Sequence, residues 1–155
     1  MALVEHLIEM KHYAANIVFT CGAYVLAVGI NVTHQVVLTN SDGETLASSN
    51  EKFAQYLLKM LEVHFNYHHD AYSTKVVYLH DPTAMLASIN PSLITYVEGA
   101  IRVQTNGITR GLTLLYNKQK RFAEITEWSD QPSVNVAVTV DTPTALKLVM
   151  ERLME

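Results

Sequence analysis

Residues 76–83 read Val-Val-Tyr-Leu-His-Asp-Pro-Thr, and this stretch sets the architecture of the chain. The apolar residues favour a strand, whereas an aspartate followed by proline is typical of the start of a helix. The sequence therefore predicts a strand over 74–79 that runs directly into a helix over 83–89. At such a junction His80 and Asp81 would bring a proton donor and a carboxylate into one cleft. A histidine satisfied by backbone groups and an aspartate that only caps the helix are the alternatives.

The segments on either side alternate between helical and extended patterns. Apolar spacing of three and four predicts a helix over 3–20 that Gly22 ends, and a second over 48–72 behind a capping box at Ser48-x-x-Glu51. Asp141 and Pro143 predict a terminal helix. Strands are predicted at 23–30, 96–104, 112–116 and 134–140, with a further extended piece at 31–37, a turn at 40–43 and a short helical turn at 92–96.

Buried strands between helices predict an α/β fold with a mixed, mostly parallel, Rossmann-like sheet. The 155 residues, 49% hydrophobic and 17% charged, suit one folded domain over 1–155. A net charge of −4 argues against nucleic acid as a partner. The longest apolar run, 24–30, is far shorter than the roughly 20 residues of a membrane span. Cys21 is the single cysteine, which excludes an internal disulfide and predicts a cytoplasmic protein.

From about residue 14 to the C-terminus the sequence resembles the C-terminal half of the nucleoside N-ribohydrolases, most of all the plant-type uridine- and inosine-preferring enzymes. Several stretches carry the resemblance, in matching order and spacing. They are Asn16-Ile-Val-Phe-Thr-Cys-Gly22, Val28-Gly-Ile-Asn-Val-Thr-His34, Tyr78-Leu-His-Asp-Pro82, Asn90-Pro-Ser-Leu93, Val103-Gln-Thr105, Gly107-Ile-Thr-Arg-Gly-Leu-Thr113 and Val134-Asn-Val-Ala-Val-Thr-Val-Asp141.

This resemblance implies hydrolysis of the N-glycosidic bond of purine and pyrimidine ribonucleosides, such as uridine, inosine and xanthosine, to ribose and free base. The family reaction passes through an oxocarbenium-like cation. A calcium ion holds the ribose and the attacking water. By motif match, His80 is the acid that protonates the leaving base and Asp81 is a calcium ligand. Tyr72 would contact the base, unless it only packs in its helix, and His68, one turn earlier, is a further substrate-binding candidate.

The aspartate-rich motif Asp-x-Asp-x-Gly-x-Asp-Asp, which supplies most calcium carboxylates and the general base in the family, does not occur in these residues. Calcium needs about six to eight oxygen ligands at once. We therefore expect a truncated hydrolase that lacks the N-terminal half of the fold, binds no calcium alone and has little or no turnover. The alternative is a non-catalytic binding or regulatory subunit. It would pair with a full-length homologue or with a separately encoded N-terminal half, through the apolar surface that half a sheet leaves. The same surface would let the isolated chain form a homo-oligomer.

A different kind of site, for zinc, is a third hypothesis. His64 and His68 stand four residues apart and would share a helix face, with His69 or Asp70 close by in the sequence. The glutamate of the His-Glu-x-x-His pattern is absent, and no third ligand is evident.

Overall fold

The structure is a computed structural model that describes residues 2–72, 76–117 and 128–155, with the side chains of residues 2–10, 64, 65 and 67–72 outside the described part. The helices are α1 (Ala2–Thr20), α2 (Ile30–Thr33), α3 (Asn40–Ser48), α4 (Lys52–Tyr72), α5 (His80–Ile89) and α6 (Thr142–Leu153), with a 3₁₀ turn at Pro91–Leu93. The strands are β1 (Leu26–Ala27), β2 (Val37–Thr39), β3 (Val76–Tyr78), β4 (Ile94–Val103), β5 (Thr113–Tyr116) and β6 (Val134–Val140).

The chain divides into two compact units. Residues 1–27 and 96–136 form the first unit, and residues 28–95 and 137–155 form the second. The division falls within β4 and β6. The first unit contains α1, β1 and β5, whereas the second contains α2 to α6 together with β2 and β3.

Strand pairing confirms an α/β fold with a mixed sheet. Four strands pair in the order β1-β6-β4-β5, and β2 pairs with β3 in a separate ribbon. The β1–β6 pairing is parallel, as the apolar strands predict, and the β4–β5 and β2–β3 pairings are antiparallel. Among the described helices, none is long and apolar enough to cross a bilayer.

The chain between β1 and β2 differs from the prediction. The strand predicted over 23–30 is confined to Leu26–Ala27, and the extended piece predicted over 31–37 contains the one-turn helix α2. This turn forms because the Gly29 carbonyl accepts hydrogen bonds from the backbone N–H groups of Val32 and Thr33, at 2.9 and 3.2 Å. Val32 is fully buried, so an apolar sequence that reads as strand supplies one buried helical turn instead.

The turn predicted at 40–43 is also wrong, because α3 begins there. Thr39 is its N-cap: its hydroxyl oxygen accepts from the Asp42 backbone N–H, and the Asp42 carboxylate accepts from the Thr39 N–H at 2.7 Å. The capping box predicted at Ser48 is likewise wrong. Ser48 is the last residue of α3, where its hydroxyl donates to the Thr45 carbonyl at 2.7 Å.

Other boundary predictions are confirmed. Gly22 follows the end of α1 with φ +79°, and the Asp141 carboxylate accepts from the Thr144 N–H at the start of α6, at 3.2 Å. In the second unit, the β2–β3 ribbon packs into a core with residues of α3 to α6. Its buried members are Val36, Leu38, Leu46, Ala54, Leu61, Val77, Leu79, Leu86, Ala145 and Met150. This core holds the junction between β3 and α5 in place.

Candidate functional site

The candidate site begins at the junction between β3 and α5. The Leu79 N–H donates to the Val36 carbonyl at 2.9 Å, which continues the β2–β3 ladder by one residue. The Leu79 carbonyl accepts from both the N–H and the hydroxyl of Thr83, whose side chain is fully buried. Because hydrogen bonds hold both the N–H and the carbonyl of Leu79, the helix begins at a defined residue, His80.

The His80 ring is held by Thr33, which lies 47 residues earlier. Thr33 Oγ1 and His80 Nδ1 are 2.7 Å apart, the length of a good hydrogen bond. Thr33 is 4% exposed, whereas His80 is exposed. The second ring nitrogen of His80, Nε2, lies on the side of the ring away from Nδ1. A buried hydroxyl therefore anchors an imidazole that remains accessible for proton transfer.

Two further rings lie beside His80. The His34 and Tyr78 ring centroids are 4.3 Å apart with planes tilted by 30°, which is close stacking. The His80 ring centroid lies 5.3 Å from that of His34 and 6.1 Å from that of Tyr78. Sequence reasoning missed Thr33, His34 and Tyr78 as members of this cluster. The available signal was their position inside the two motifs 28–34 and 78–82.

Asp81 is the second residue of α5 and is exposed. The N-cap position belongs to Leu79 and no side chain makes a capping hydrogen bond there, so Asp81 does not cap this helix. A carboxylate in the first turn is nevertheless favoured by the positive end of the helix dipole. Asp81 is thus placed beside His80, with its oxygens accessible.

A calcium site requires more oxygen ligands than the residues described around His80 offer. Among the described residues, no three His, Cys, Asp or Glu side chains lie together as a metal-binding group. Asp81 contributes one carboxylate where calcium takes about six to eight oxygen ligands. The described residues near His80 therefore do not fit calcium by themselves.

The remaining candidates lie at the end of α4. Tyr72 is its last residue and His68 lies one turn earlier. Their side chains, and those of the zinc candidates His64, His69 and Asp70, lie outside the described residues. The substrate role of Tyr72 and His68 and the zinc hypothesis stay predictions.

Comparison with known proteins identifies the class. Residues 12–147 match the family model described as inosine-uridine preferring nucleoside hydrolase, and the chain belongs to this family. Its sequence is 65% identical, over 92% of the chain, to "Probable uridine nucleosidase 2" of Arabidopsis thaliana, and 36% identical over 92% of the chain to "Uridine nucleosidase 1" of the same plant.

Solved structures agree with the sequence relatives. The structure titled "Plant nucleoside hydrolase - PpNRh1 enzyme" matches 91% of the chain with a TM-score of 0.87 and 49% identity. A purine-preferring ribonucleoside hydrolase from Gardnerella vaginalis matches with a TM-score of 0.76 and 31% identity. The chain spans 44% of the first Arabidopsis relative and 44% of the plant structure. The resemblance deduced from the motifs is confirmed, as is its restriction to part of the relatives' length.

Proposed function

We propose that this chain supplies the leaving-group side of a nucleoside hydrolase active site, with His80 as the group that protonates the departing base. The observation that carries the proposal is the anchored but accessible His80 imidazole, 2.7 Å from the buried Thr33 hydroxyl, in a member of this family. A histidine suits this role because its pKa ordinarily lies near 6.5, so that it both holds and releases a proton near neutral pH.

The reaction would break the bond between C1′ of ribose and the base nitrogen. The bonding electrons leave with the base, which takes a proton from His80 Nε2, and the ribose becomes an oxocarbenium-like cation. Water adds to C1′ and loses its proton to a carboxylate base. Uridine is the first substrate to test, because relatives in two plants are named uridine nucleosidases; inosine and xanthosine follow. Tyr72 and His68 are the proposed contacts to the base.

We further propose that these 155 residues alone have little or no turnover. The sequence contains no aspartate-rich motif, and Asp81 is the acidic residue adjacent to His80. Calcium binding and activation of water would require carboxylates from additional polypeptide, with Asp81 as one ligand among several. A cytoplasmic location is proposed with this function, and it rests on Cys21 as the single cysteine.

Fragment complementation tests the proposal. Ribose release from uridine, inosine and xanthosine is measured with the purified chain alone, and again after mixing with the separately expressed part of the Arabidopsis relative that the chain does not match. Each assay is run with calcium and with chelator. We expect release only from the mixture with calcium, and a loss of at least about 100-fold in His80→Gln. Robust release by the chain alone would contradict the inactive state, and unchanged activity of His80→Gln in an active mixture would contradict the acid role.

A non-catalytic binding subunit is the second candidate, and the edge of the four-stranded sheet favours it. Within the described residues β1 is a terminal strand that pairs with β6, and Tyr24, just before β1, is 82% exposed. An exposed strand edge is a template for pairing with another chain. Light scattering after size-exclusion chromatography measures whether the chain pairs with itself or, when mixed with the full-length Arabidopsis relative, with that protein. A monomer that forms no complex would exclude the candidate, whereas a stable complex without added hydrolysis would favour it over the enzyme.

A further inference from the structure

We propose that Thr33 is a positioning residue that holds neutral His80 in the tautomer with the proton on Nδ1, so that Nε2 is the nitrogen that exchanges a proton with the substrate. The functional part of this inference rests on the proposed role of His80. The structural part, which nitrogen carries the proton, stands on the contacts of Thr33 alone.

The hydrogen-bond donors and acceptors around Thr33 favour one direction of the bond. Thr33 Oγ1 lies 2.7 Å from His80 Nδ1 and 3.4 Å from the carbonyl oxygen of Ile30. A carbonyl oxygen can only accept, so the contact with Ile30 is a hydrogen bond only if the Thr33 hydroxyl donates to it. The hydroxyl oxygen then accepts from Nδ1–H of His80. At 3.4 Å the contact with Ile30 is longer than an ordinary O–H···O hydrogen bond, so it favours this direction without excluding the reverse one, in which the hydroxyl donates to Nδ1.

The backbone fixes the distance between the two side chains. Thr33 ends α2, with its N–H donating to the Gly29 carbonyl at 3.2 Å, and its β-branched side chain has restricted rotation. Three residues later, Val36 accepts the hydrogen bond from Leu79, the residue before His80. Thr33 therefore lies three residues before, and His80 one residue after, the hydrogen-bonded pair Val36 and Leu79. The Thr33 side of the 2.7 Å contact is buried and held by the backbone, whereas the His80 ring remains exposed.

This geometry suits a proton donor. When the imidazolium releases its Nε2 proton to a leaving base, the neutral ring that remains carries its proton on Nδ1, the tautomer that Thr33 accepts. The hydrogen bond to Thr33 thus persists through the transfer, and the ring neither rotates nor exchanges tautomers. A group that makes a hydrogen bond to one ring nitrogen determines which of the two nitrogens carries the proton in the neutral ring. Without Thr33, a neutral His80 would also populate the Nε2–H tautomer, whose lone pair lies on Nδ1 and does not face the substrate.

The test reads the tautomer directly and needs no substrate. ¹⁵N–¹H correlation spectra of the imidazole rings are recorded on the labelled chain at about pH 8.5, where an ordinary histidine is neutral. The signal of His80 is assigned by its loss in His80→Gln. We expect Nδ1 protonated and Nε2 unprotonated in the wild type. Thr33→Val, which keeps the shape but removes the acceptor, should shift the signal toward the Nε2–H tautomer. Thr33→Ser, which keeps the hydroxyl, should restore the wild-type pattern.

Two results would overturn the inference: a wild-type His80 with its proton on Nε2, or a Thr33→Val spectrum identical to the wild type. If Thr33→Val does not fold, the wild-type and Thr33→Ser spectra still decide the tautomer. A failed complementation assay combined with Nδ1–H in the wild type would contradict the enzymatic proposal and leave the positioning contact intact. The two failures are therefore distinguishable.

Discussion

Gly111 lies directly against the imidazole ring of His12, so that a Cβ added to the glycine would stand 2.9 Å from His12 Nε2. The Gly111 backbone has φ +90°, a conformation that residues with a side chain rarely adopt, and its N–H donates to the Gln104 carbonyl at 2.7 Å. The turn between β4 and β5 therefore closes against α1 at a position that favours glycine. The backbone conformation is strained for any other residue, and an added Cβ would require the His12 ring to move.

Gly111→Ala should destabilise the protein by about 2–3 kcal/mol, because about 1 kcal/mol of backbone strain is added to a steric contact that the His12 ring must relieve. Urea unfolding followed by circular dichroism measures the loss. Gly107→Ala is the matched control, since Gly107 has φ +74° but nothing within 4 Å of an added Cβ. Gly107→Ala should lower the free energy of unfolding by about 1 kcal/mol, from backbone strain alone. Equal losses in the two variants would show that the contact with His12 contributes nothing.

The Tyr96 hydroxyl is buried, with no hydrogen-bond partner among the described residues. Burial, and secondarily the nearby Tyr24, raises the pKa of Tyr96 above its usual value of 10.0. Unfolded Tyr96 thus loses its proton at a lower pH than folded Tyr96. The contribution of this group to stability is fully present below pH 10 and is lost as the pH rises through the higher folded-state pKa.

Tyr96→Phe should therefore flatten the fall in stability above pH 10 and, at neutral pH, raise the free energy of unfolding by about 1 kcal/mol, since an unsatisfied buried hydroxyl is removed. Melting temperatures of both proteins between neutral pH and pH 11 would measure this. Tyr56→Phe, at an exposed position, retains Tyr96 and should keep the wild-type slope. A Tyr96→Phe variant as sensitive to alkali as the wild type would contradict the prediction.

Asn16 links α1 to β4, because its side-chain oxygen Oδ1 accepts from the Val103 backbone N–H at 3.1 Å, 87 residues away. Asn16→Ala should lower the free energy of unfolding by about 1–3 kcal/mol, since it leaves this strand N–H without its acceptor. Asn16→Asp retains an oxygen at the same place and should lose less. Chemical denaturation of the three proteins measures the difference. If Asn16→Asp lowers the free energy of unfolding as much as Asn16→Ala does, the acceptor oxygen is not the source of the stabilisation.

The sequence identified those elements whose signals are local. Gly22 after α1, Asp141 before α6 and the strand-to-helix junction at residues 76–83 depend on neighbouring residues, and the structure bears them out. The one-turn helix α2 escaped prediction because its apolar residues suit either a strand or a buried turn. The capping box of α3 escaped because Asp42 stands where glutamate or glutamine is usual.

The same distinction applies to the candidate site. The sequence makes His80 and Asp81 candidates because the two residues form one continuous motif. Thr33 and His34 were missed because they come close to His80 only through the β2–β3 ladder, at sequence separations of 47 and 46 residues respectively. Neither composition nor periodicity reports such a contact. It depends on strand register, which a single sequence specifies only indirectly.

Helix α4 has two apolar faces, and they should respond differently to mutation. The sequence places Phe53 and Leu61 on one stripe, yet Phe53 is 65% exposed whereas Leu61 is 5% exposed and belongs to the core of the second unit. Leu61→Ala should cost about 2–5 kcal/mol of stability because it leaves a cavity among packed side chains. Phe53→Ala should change stability by no more than about 0.5 kcal/mol, as expected for a surface position.

Thermal and urea unfolding of both variants measure this contrast, with Tyr56→Ala, 66% exposed on the same side as Phe53, as a second surface control. Because Phe53 and Tyr56 are exposed, their removal should also reduce any concentration-dependent association of the chain in sedimentation experiments. Leu61→Ala leaves the exposed residues of the folded protein unchanged, so it should not reduce association directly. A large loss of stability in Phe53→Ala would mean that this face of α4 is covered, in solution, by another part of the protein or by a second molecule.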